Sequence, residues 1–392
     1  MTDVVIVSAA RTPIGKLNGA LSSQSAVALG SVAAQAAINR AGIDPARIDQ
    51  AVFGNVLQAN NGQNVARQIA LKAGMTTDSS AMTVNEVCGS GLKAVRLGQS
   101  AILLGDADIV LVGGTESMSQ TPYYAANMRA GHLLGNVEMV DGVMRDGLTD
   151  AFTGLPMGIT AENVAEQFSV PREAQDAFAL ASHQKAVAAQ QTGAFAAEIA
   201  PVTVTTRKGT IVVDQDEGPR PDTSLEKLAR LKPAFKAGGT VTAGNASGIN
   251  DGAAALVLMR KDLADREGIA YLATIRGYSE GGIDPNFMGY APKRVIEKLL
   301  KRTDAALTDI DLFEINEAFA AQSIAVAKEL EVDQSKLNVN GGAIALGHPL
   351  GASGARVLVT LLYALQQRNQ HAGVAALCVG GGIGVAMQVA RP

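Results

Sequence analysis

The stretch that decides the fold is residues 39–55, NRAGIDPARIDQAVFGN, because residues 303–316, TDAALTDIDLFEIN, echo it near the other end of the chain. Each copy ends on an asparagine that follows a short apolar run, Asn55 in the first and Asn316 in the second. Short apolar runs of this kind are typical of buried strands. A repeated unit implies a repeated fold, so the sequence predicts two similar α/β halves.

The repeat continues beyond these two stretches. A Ser-Gly pair precedes a helical pattern in each copy, at Ser90 and at Ser353, and an apolar run ends in Val-Gly-Gly at 112–114 and again at 379–381. Apolar runs without alternation are typical of strands covered on both faces by helices. Each half is therefore expected to alternate helices and strands around its own sheet.

The segment between the copies, about Ser119 to Ile249, has no counterpart in the repeat. An insertion of this length in a compact α/β fold usually carries binding function. The predicted units are an N-terminal α/β half of residues 1–118 plus 250–269, an inserted loop domain of residues 119–249, and a C-terminal α/β half of residues 270–392.

Composition narrows the class of protein. The net charge of −4 comes with no long run of either sign, which gives no footprint for nucleic acid or an anionic membrane. No apolar stretch approaches the ~20 residues that span a bilayer, and the short run Val4 to Val7 is typical of a first strand rather than a signal peptide. Two distant cysteines do not make a disulfide framework, so the cytoplasm is the expected compartment.

Reactive side chains concentrate in three glycine-rich segments. Cys88 opens Cys-Gly-Ser-Gly ahead of an apolar helical pattern, Cys378 ends a strand-like run before three glycines, and His348 lies in a glycine-rich turn. The pKa of a thiol at a helix N-terminus is expected to be lowered, because the unpaired N–H groups and the helix dipole favour the thiolate. Two thiols and an imidazole in such positions suit acyl-transfer chemistry.

The other histidines are predicted to stand apart from this chemistry. His183 in a helical-looking stretch and His371 in a polar one are both expected at the surface, whereas His132 lies between glycines of the insertion and could meet a partner subunit. Two cysteines and four scattered histidines offer no zinc-ligand spacing, so no metal is expected.

Five segments of the chain resemble the characteristic motifs of the thiolase family. They are 338–354 (NVNGGAIALGHPLGASG), the stretch around Cys88, 378–382 (CVGGG), 316–319 (NEAF) and 244–252 (GNASGINDG). They stand in the family's order and the resemblance runs nearly end to end. It implies a five-layered α/β/α/β/α sandwich, and it implies that the insertion is the loop domain that covers coenzyme A.

Within the family, the resemblance is strongest to the acyltransferases that join two acetyl-CoA molecules. It implies a reversible Claisen condensation to acetoacetyl-CoA and CoA through an acetyl-cysteine, with coenzyme A as substrate and product and no cofactor. A broad-range 3-ketoacyl-CoA thiolase working in the degradative direction is the alternative, because Pro156 stands where many short-chain members have histidine. The segment 123–144 resembles the loop that assembles biosynthetic members into homotetramers, as dimers of dimers.

The resemblance also implies roles for individual residues. Cys88 is expected to carry the acyl group, His348 to activate it, and Cys378 to act as acid and base. Asn316 is expected to hold a water that forms an oxyanion hole with His348, and the backbone N–H groups of Cys88 and Gly380 to form a second hole. The residues expected along the coenzyme A path, with Arg220 near its nucleotide end, are Leu148, Met157, Arg220, Phe235, Ala243, Ala246, Ser247, Ala318 and Phe319.

Three rival interpretations are weaker. Ketoacyl synthases share the fold but use one cysteine and two histidines, whereas this chain has Cys378 and lacks a second histidine in a glycine-rich strand end. A dinucleotide-binding module is suggested by GGGIG at 380–384, but that run has no helix or acidic residue about 20 positions on. An inactive scaffold would be expected to have lost Cys88, His348 or Cys378, and all three are present.

Overall fold

The computed structural model describes residues 3–207 and 209–392. The strands are β1 (Val4–Arg11), β2 (Gly15–Lys16), β3 (Gln50–Gly54), β4 (Ser80–Val84), β5 (Ile109–Ser117), β6 (Tyr123–Tyr124), β7 (Val140–Asp141), β8 (Val202–Thr206), β9 (Gly209–Val213), β10 (Asn250–Arg260), β11 (Ala273–Gly282), β12 (Leu312–Ile315), β13 (Ala372–Val379) and β14 (Ile383–Ala390). The α-helices are α1 (Ala26–Ala41), α2 (Val65–Lys72), α3 (Ser90–Leu104), α4 (Gly158–Gln167), α5 (Arg172–Gln191), α6 (Leu225–Ala229), α7 (Lys261–Glu267), α8 (Ala291–Thr303), α9 (Ala320–Glu329), α10 (Ala343–Leu346) and α11 (Leu350–Gln367).

The main sheet contains two groups of strands in the same order. In the first group β3 pairs in parallel with β5, and β5, β10 and β1 then pair antiparallel. In the second group β12 pairs in parallel with β13, and β13, β14 and β11 pair antiparallel. Strand β4 extends the first group beside β3, and an isolated bridge between Phe313 and Leu337 takes the same place beside β12. The predicted repeat of two α/β halves is confirmed.

The two groups of strands also touch each other. Val5 of β1 pairs with Thr274 of β11, and Ile6 pairs with Ala273, both antiparallel. The sequence suggested one sheet for each half, whereas this short junction makes a single hydrogen-bonded sheet path through both groups. Two residue pairs are too few to register in a sequence pattern.

Three hydrophobic clusters define the layers. The middle cluster joins α3 and α11 to both strand groups, and includes Leu92, Val95, Val112, Leu256, Leu358, Leu361, Leu377 and Val385. A second cluster packs α1 and α2 on the outer face of the first group, with Leu29, Ile69, Phe53 and Leu111 among its members. A third packs α8 and α9 on the outer face of the second group, with Val295, Val326, Phe313 and Val374. The order is therefore helix, strand, helix, strand, helix, as predicted.

The N-terminal ends of α3 and α11 meet at the centre of the molecule. A Cβ on Gly91 would lie 2.6 Å from the backbone nitrogen of Ala355, and a Cβ on Gly354 would overlap the backbone nitrogen of Leu92. The two helices can approach this closely only because both positions are glycine. The segments that lead into the two helices are thereby brought together.

Residues 119–249 contain strands β6 to β9 and helices α4 to α6. The four strands form two small sheets that are separate from the main sheet. Arg11 of β1 anchors this segment from within, since it is fully buried and pairs with Glu198 at 2.6 Å and Asp216 at 2.7 Å. The predicted boundaries of the three units stay a prediction. None of the helices in the described part of the chain is long and apolar enough to cross a membrane.

Candidate active site

Cys88 lies in the tight turn between β4 and α3. The residue before it, Val87, has a φ of 45°, a left-handed conformation that is costly for a β-branched side chain. Local hydrogen bonds hold it there: the Val87 N–H donates to Asn85 Oδ1, and the Ser90 hydroxyl donates to the Val87 carbonyl at 2.6 Å and accepts the Glu86 N–H at 2.8 Å. The turn presents Cys88 just ahead of the helix.

His348 lies just ahead of α11 and is held on three sides. Its backbone N–H donates to Asn250 Oδ1 at 2.9 Å, and its Nδ1 lies 2.6 Å from Ser353 Oγ, which donates to the Pro349 carbonyl at 2.8 Å. Asn316 Nδ2 lies 3.5 Å from each ring nitrogen, at the outer limit of a hydrogen bond. The imidazole is therefore fixed in orientation.

Asn316 directly follows β12 and is itself anchored. Its backbone N–H donates to the Ala376 carbonyl, and its neighbours Ile315 and Glu317 are both bonded to the side chain of Asn338. Its side-chain Oδ1 is buried and has no hydrogen-bond partner in the protein. A buried acceptor without a protein partner can receive a hydrogen bond from water or substrate.

Cys378 lies within β13 and is completely buried. Its Sγ is 3.7 Å from Gln322 Oε1 of α9, and apolar side chains pack with it in one cluster. Five of the residues predicted to line the coenzyme A path pack in the same cluster as Cys378, namely Met157, Phe235, Ala246, Ala318 and Phe319. A wall of this kind suits the apolar part of a long ligand.

The other predicted ligand-path residues lie around this wall. Leu148 packs in the cluster that contains Cys88, and the Ser247 N–H donates to the Ala318 carbonyl at 2.9 Å. Ala243 and Arg220 line a cleft that also contains Lys16 and His183. Ala246 belongs both to this cleft and to the cluster that contains Cys378, so the cleft adjoins that cluster.

His183 corrects the sequence analysis, which expected it at the surface. It is buried, its Nδ1 accepts the Arg220 N–H at 3.2 Å, and burial, reinforced by Arg220, lowers its pKa to about 4. Ala179 and Ala186 are buried on the same face of α5, at helical spacing from His183, and this periodicity was the available signal. His132 and His371 are exposed.

The pKa of Cys88 also contradicts the sequence-based expectation. Burial raises it to about 11, although the N–H groups of Gly380 and of Cys88 itself bond to the sulfur and oppose the rise, and Glu116 raises it a little further. Burial likewise raises the pKa of Cys378, with a further contribution from Cys88. Proximity to a helix N-terminus does not compensate for the lost hydration of a thiolate.

Burial lowers the pKa of His348 to about 3, and the positive charge of Arg356 adds to this effect. With both cysteines protonated, the three groups are neutral near pH 7. Cys88 and His348 are therefore a thiol and an imidazole, rather than a thiolate and an imidazolium. The backbone N–H groups of Gly380 and of Cys88 itself lie near the Cys88 sulfur and oppose the rise in its pKa.

Glu116 is a residue of the candidate site that the sequence analysis missed. This buried carboxylate of β5 accepts hydrogen bonds from the Asn55 side chain at 2.7 Å and from the N–H groups of Val56, Leu57 and Gly351. Burial raises its pKa to about 7. It ties the end of β3 to the first turn of α11, and a lone glutamate at the end of an apolar strand was the only hint in the sequence.

Asn250 and Ser353, which hold the backbone and ring of His348, were also missed as individual residues, although both lie inside the motifs that carry the family resemblance. Within residues 3–207 and 209–392, no group of three or more His, Cys, Asp or Glu side chains is arranged to hold a metal ion.

Comparison with known proteins identifies the family. Residues 4–262 match the family model for the thiolase N-terminal domain, and residues 269–391 match the model for the thiolase C-terminal domain. The chain is 54% identical to an acetyl-CoA acetyltransferase of Escherichia coli K12 over 392 residues, the whole of both chains. The chain belongs to the thiolase family.

Solved structures agree in fold over the whole chain. The acetyl-CoA acetyltransferase of Bacillus anthracis superposes with a TM-score of 0.98 at 45% identity, covering 100% of this chain and 99% of that one. Human mitochondrial 3-ketoacyl-CoA thiolase superposes with a TM-score of 0.97 at 43% identity, with the same coverage.

Proposed function

We propose that this thiolase is an acetyl-CoA C-acetyltransferase, an acyltransferase that condenses two acetyl-CoA into acetoacetyl-CoA and CoA, reversibly. The observation that supports the proposal is the close approach of the N-terminal ends of α3 and α11. Cys88 lies just ahead of α3, His348 lies just ahead of α11, and the Gly380 N–H lies near the Cys88 sulfur. The relatives named acetyl-CoA acetyltransferase support the substrate.

In the first half-reaction, Cys88 attacks the thioester carbonyl of acetyl-CoA and His348 accepts its proton. The carbon–sulfur bond to coenzyme A breaks, and the departing thiolate takes the proton back from the imidazolium. Because His348 is neutral with a pKa of about 3, it can accept a proton only while charge develops on the substrate. The hole made by the Cys88 and Gly380 N–H groups supports that charge on the carbonyl oxygen.

In the second half-reaction, Cys378 gives its own proton to the neutral His348 imidazole, and the thiolate then removes a proton from the methyl carbon of a second acetyl-CoA. The resulting carbanion attacks the acetyl group on Cys88, the carbon–carbon bond forms as the bond to sulfur breaks, and the departing Cys88 thiolate takes the proton from His348. A thiol with a raised pKa is a strong base once ionised, so the step depends on stabilising the enolate. A water that donates one hydrogen bond to the unpaired Asn316 Oδ1 can donate its other to the enolate oxygen, and the protonated His348 ring can donate a second.

Mass analysis after incubation with acetyl-CoA tests the assignment. An acetyl group is expected on Cys88 in the wild-type protein and also in Cys378→Ala, which should still be acylated but should no longer condense. Acetylation found reproducibly on Cys378 would overturn the division of roles. Loss of acylation in a folded Cys378→Ala protein would do the same.

A broad-range 3-ketoacyl-CoA thiolase is the second candidate. A cleft of about 910 Å³ lies beside Gly380 and Met157, bordered by Phe152 and Ile383, and is far larger than an acetyl group needs. The side chain of Pro156, next to Met157, offers no hydrogen bond to a ligand. Specificity constants for acetoacetyl-CoA and a C6 3-ketoacyl-CoA separate the candidates: a higher value for C6 would favour the broad-range enzyme.

We also propose a homotetramer that works in the cytoplasm. The segment 123–144 exposes the side chains of Tyr123, Leu133, Leu134 and Met139, an apolar surface that is typical of a subunit contact. Both cysteines are free thiols, which suits a reducing compartment. Light scattering at micromolar concentration is expected to give the mass of four chains; a dimer mass would contradict the tetramer.

A further inference from the structure

The hydroxyl of Ser353 lies between a carbonyl oxygen, which can only accept a hydrogen bond, and an imidazole nitrogen, which can donate or accept one. Its Oγ is 2.8 Å from the Pro349 carbonyl oxygen and 2.6 Å from His348 Nδ1. Both contacts are hydrogen bonds only if the hydroxyl donates to the carbonyl and receives the Nδ1 proton. In the opposite tautomer the single hydroxyl proton would go to Nδ1, and two oxygens would face each other at 2.8 Å with no proton between them.

Ser90, the repeat counterpart of Ser353, also lies between a preceding carbonyl oxygen and a nitrogen, and here the nitrogen is an unambiguous donor. Its Oγ donates to the Val87 carbonyl at 2.6 Å and receives the Glu86 backbone N–H at 2.8 Å. A backbone N–H can only donate, so this hydroxyl must donate to the carbonyl. At Ser353, the His348 ring takes the place of that N–H.

His183 provides the opposite case inside the same protein. The Arg220 backbone N–H donates to His183 Nδ1, so that nitrogen must carry a lone pair and the proton must be on Nε2. His132 also places Nε2 2.9 Å from the Gly135 carbonyl, which calls for a proton on Nε2. His348 is therefore set apart from both by its hydroxyl partner.

We propose that Ser353 is a positioning residue that holds His348 in the Nδ1–H tautomer, so that Nε2 carries the lone pair. The use of this lone pair as the base for Cys88 rests on the proposed function, but the tautomer itself does not. A histidine without such a partner would divide between two tautomers, and only one of them presents a basic nitrogen away from Ser353. The side chain thereby selects which ring nitrogen takes part in proton transfer.

Nitrogen-15 NMR of protein labelled at histidine tests the tautomer without any assay of activity. At pH 7.5 the wild-type spectrum is expected to show His348, identified by the signal lost in His348→Asn, with a protonated Nδ1 and an unprotonated Nε2. His183 should show the reverse pattern in the same spectrum. A protonated Nε2 on His348 in the wild-type protein would overturn the proposal.

Two matched variants separate tautomer control from simple support of the fold. Ser353→Ala and Ser90→Ala each remove a buried hydroxyl with one donated and one accepted bond, but only Ser353→Ala should introduce the Nε2–H form of His348. Ser353→Thr keeps the oxygen and should keep the Nδ1–H form, which covers the case in which the alanine variant does not fold. A pure Nδ1–H signal in folded Ser353→Ala would also contradict the proposal.

Kinetics add a second readout, which depends on the proposed function. Ser353→Ala is expected to lower kcat by about 10²-fold, the lower end of what a positioned general base contributes, with little change in KM. If the tautomer shifts as expected while kcat does not fall, the tautomer control stands and the assignment of His348 as base fails. If kcat falls with no change in tautomer, the positioning role fails.

Discussion

The ends of β3 and β12 occupy equivalent positions in the two halves, yet they have different partners. Each strand is followed by an asparagine, Asn55 or Asn316, whose side-chain Oδ1 is buried without a partner in the protein. Asn55 Nδ2 donates to the Glu116 carboxylate at 2.7 Å, whereas Asn316 Nδ2 only approaches the His348 ring at 3.5 Å. The same scaffold therefore gives one short charge-assisted contact and one long neutral contact.

The difference suggests that the two copies of the repeated unit have different roles, one structural and one chemical. A carboxylate that receives four hydrogen bonds fixes the end of β3 against α11, and the Asn55 Nδ2 group is engaged in one of them. At the end of β12 the asparagine and imidazole keep unused hydrogen-bonding capacity. We infer that the first strand end holds the architecture together and the second serves the reaction.

The largest expected effect comes from Asn316→Ala. Removing this amide should lower kcat for acetoacetyl-CoA thiolysis by about 10²–10³-fold, because a donor set that stabilises charge in the transition state is lost. The melting temperature should change little, since the amide makes only long contacts. Steady-state kinetics and thermal unfolding at one protein concentration check both parts. A loss of less than threefold would remove Asn316 from the proposed oxyanion hole.

Asn55→Ala should show the reverse pattern. The buried Glu116 carboxylate would lose its shortest hydrogen bond, so the free energy of unfolding should fall by about 1–3 kcal/mol. The value of kcat should fall by less than about tenfold. Urea unfolding and kinetics on the same preparation are the measurements. If Asn55→Ala instead matched Asn316→Ala, with activity lost and stability kept, the two strand ends would not differ in role.

The contributions of Glu116, beside the end of β3, and of His348, near the end of β12, to the free energy of unfolding should change with pH in opposite directions. Burial raises the pKa of Glu116 from 4.5 to about 7, so its folded form binds the proton more tightly and its stabilising contribution is lost as the pH rises from 4.5 to 7. Burial lowers the pKa of His348 from 6.5 to about 3, so its contribution is present above pH 6.5 and is lost as the pH falls toward 3.

Melting temperatures measured between pH 4.5 and 7 check these signs by difference from the wild type. Glu116→Gln should make stability increase more steeply with pH, because it removes an opposing slope. His348→Asn should make the increase shallower. Both variants changing the slope in the same direction would contradict the assigned pKa shifts.

The smallest effect concerns the charge of Glu116 at Cys88. That carboxylate is a minor cause of the raised pKa of Cys88, so Glu116→Gln should lower the thiol pKa slightly. In a Cys378→Ala background, iodoacetamide should alkylate Cys88 at pH 8 faster than in the matched protein with Glu116, by less than about tenfold. A slower rate would mean that Glu116 affects Cys88 through geometry rather than charge.

The sequence predicted the parts of this structure that depend on local pattern. The sequence was enough to predict the repeat, the central helices after Ser90 and near Gly354, and the three glycine-rich segments. Periodicity and glycine positions reflect local geometry. The direction of the Cys88 pKa shift and the burial of His183 were wrong. Both depend on how much water the packed layers exclude, which no single segment encodes.

The contacts around Glu116 and Asn250 could not be predicted for a related reason. Each joins segments that lie far apart in the chain, such as the end of β3 with α11, and only the completed fold brings them within hydrogen-bond distance. The family resemblance predicted the reacting groups, whereas the residues that orient His348 can be recognised only in the folded structure.

The buried pairing of Arg11 with Glu198 and Asp216 has a consequence for how the protein comes apart. If the inserted segment detached alone, it would leave an unpaired guanidinium inside β1, at a cost of about 3–5 kcal/mol. Partial opening of that segment is therefore disfavoured until the first strand group also loosens. Amide hydrogens near Glu198 should then exchange with solvent on the same slow timescale as those of β1 and β10, as one cooperative unit.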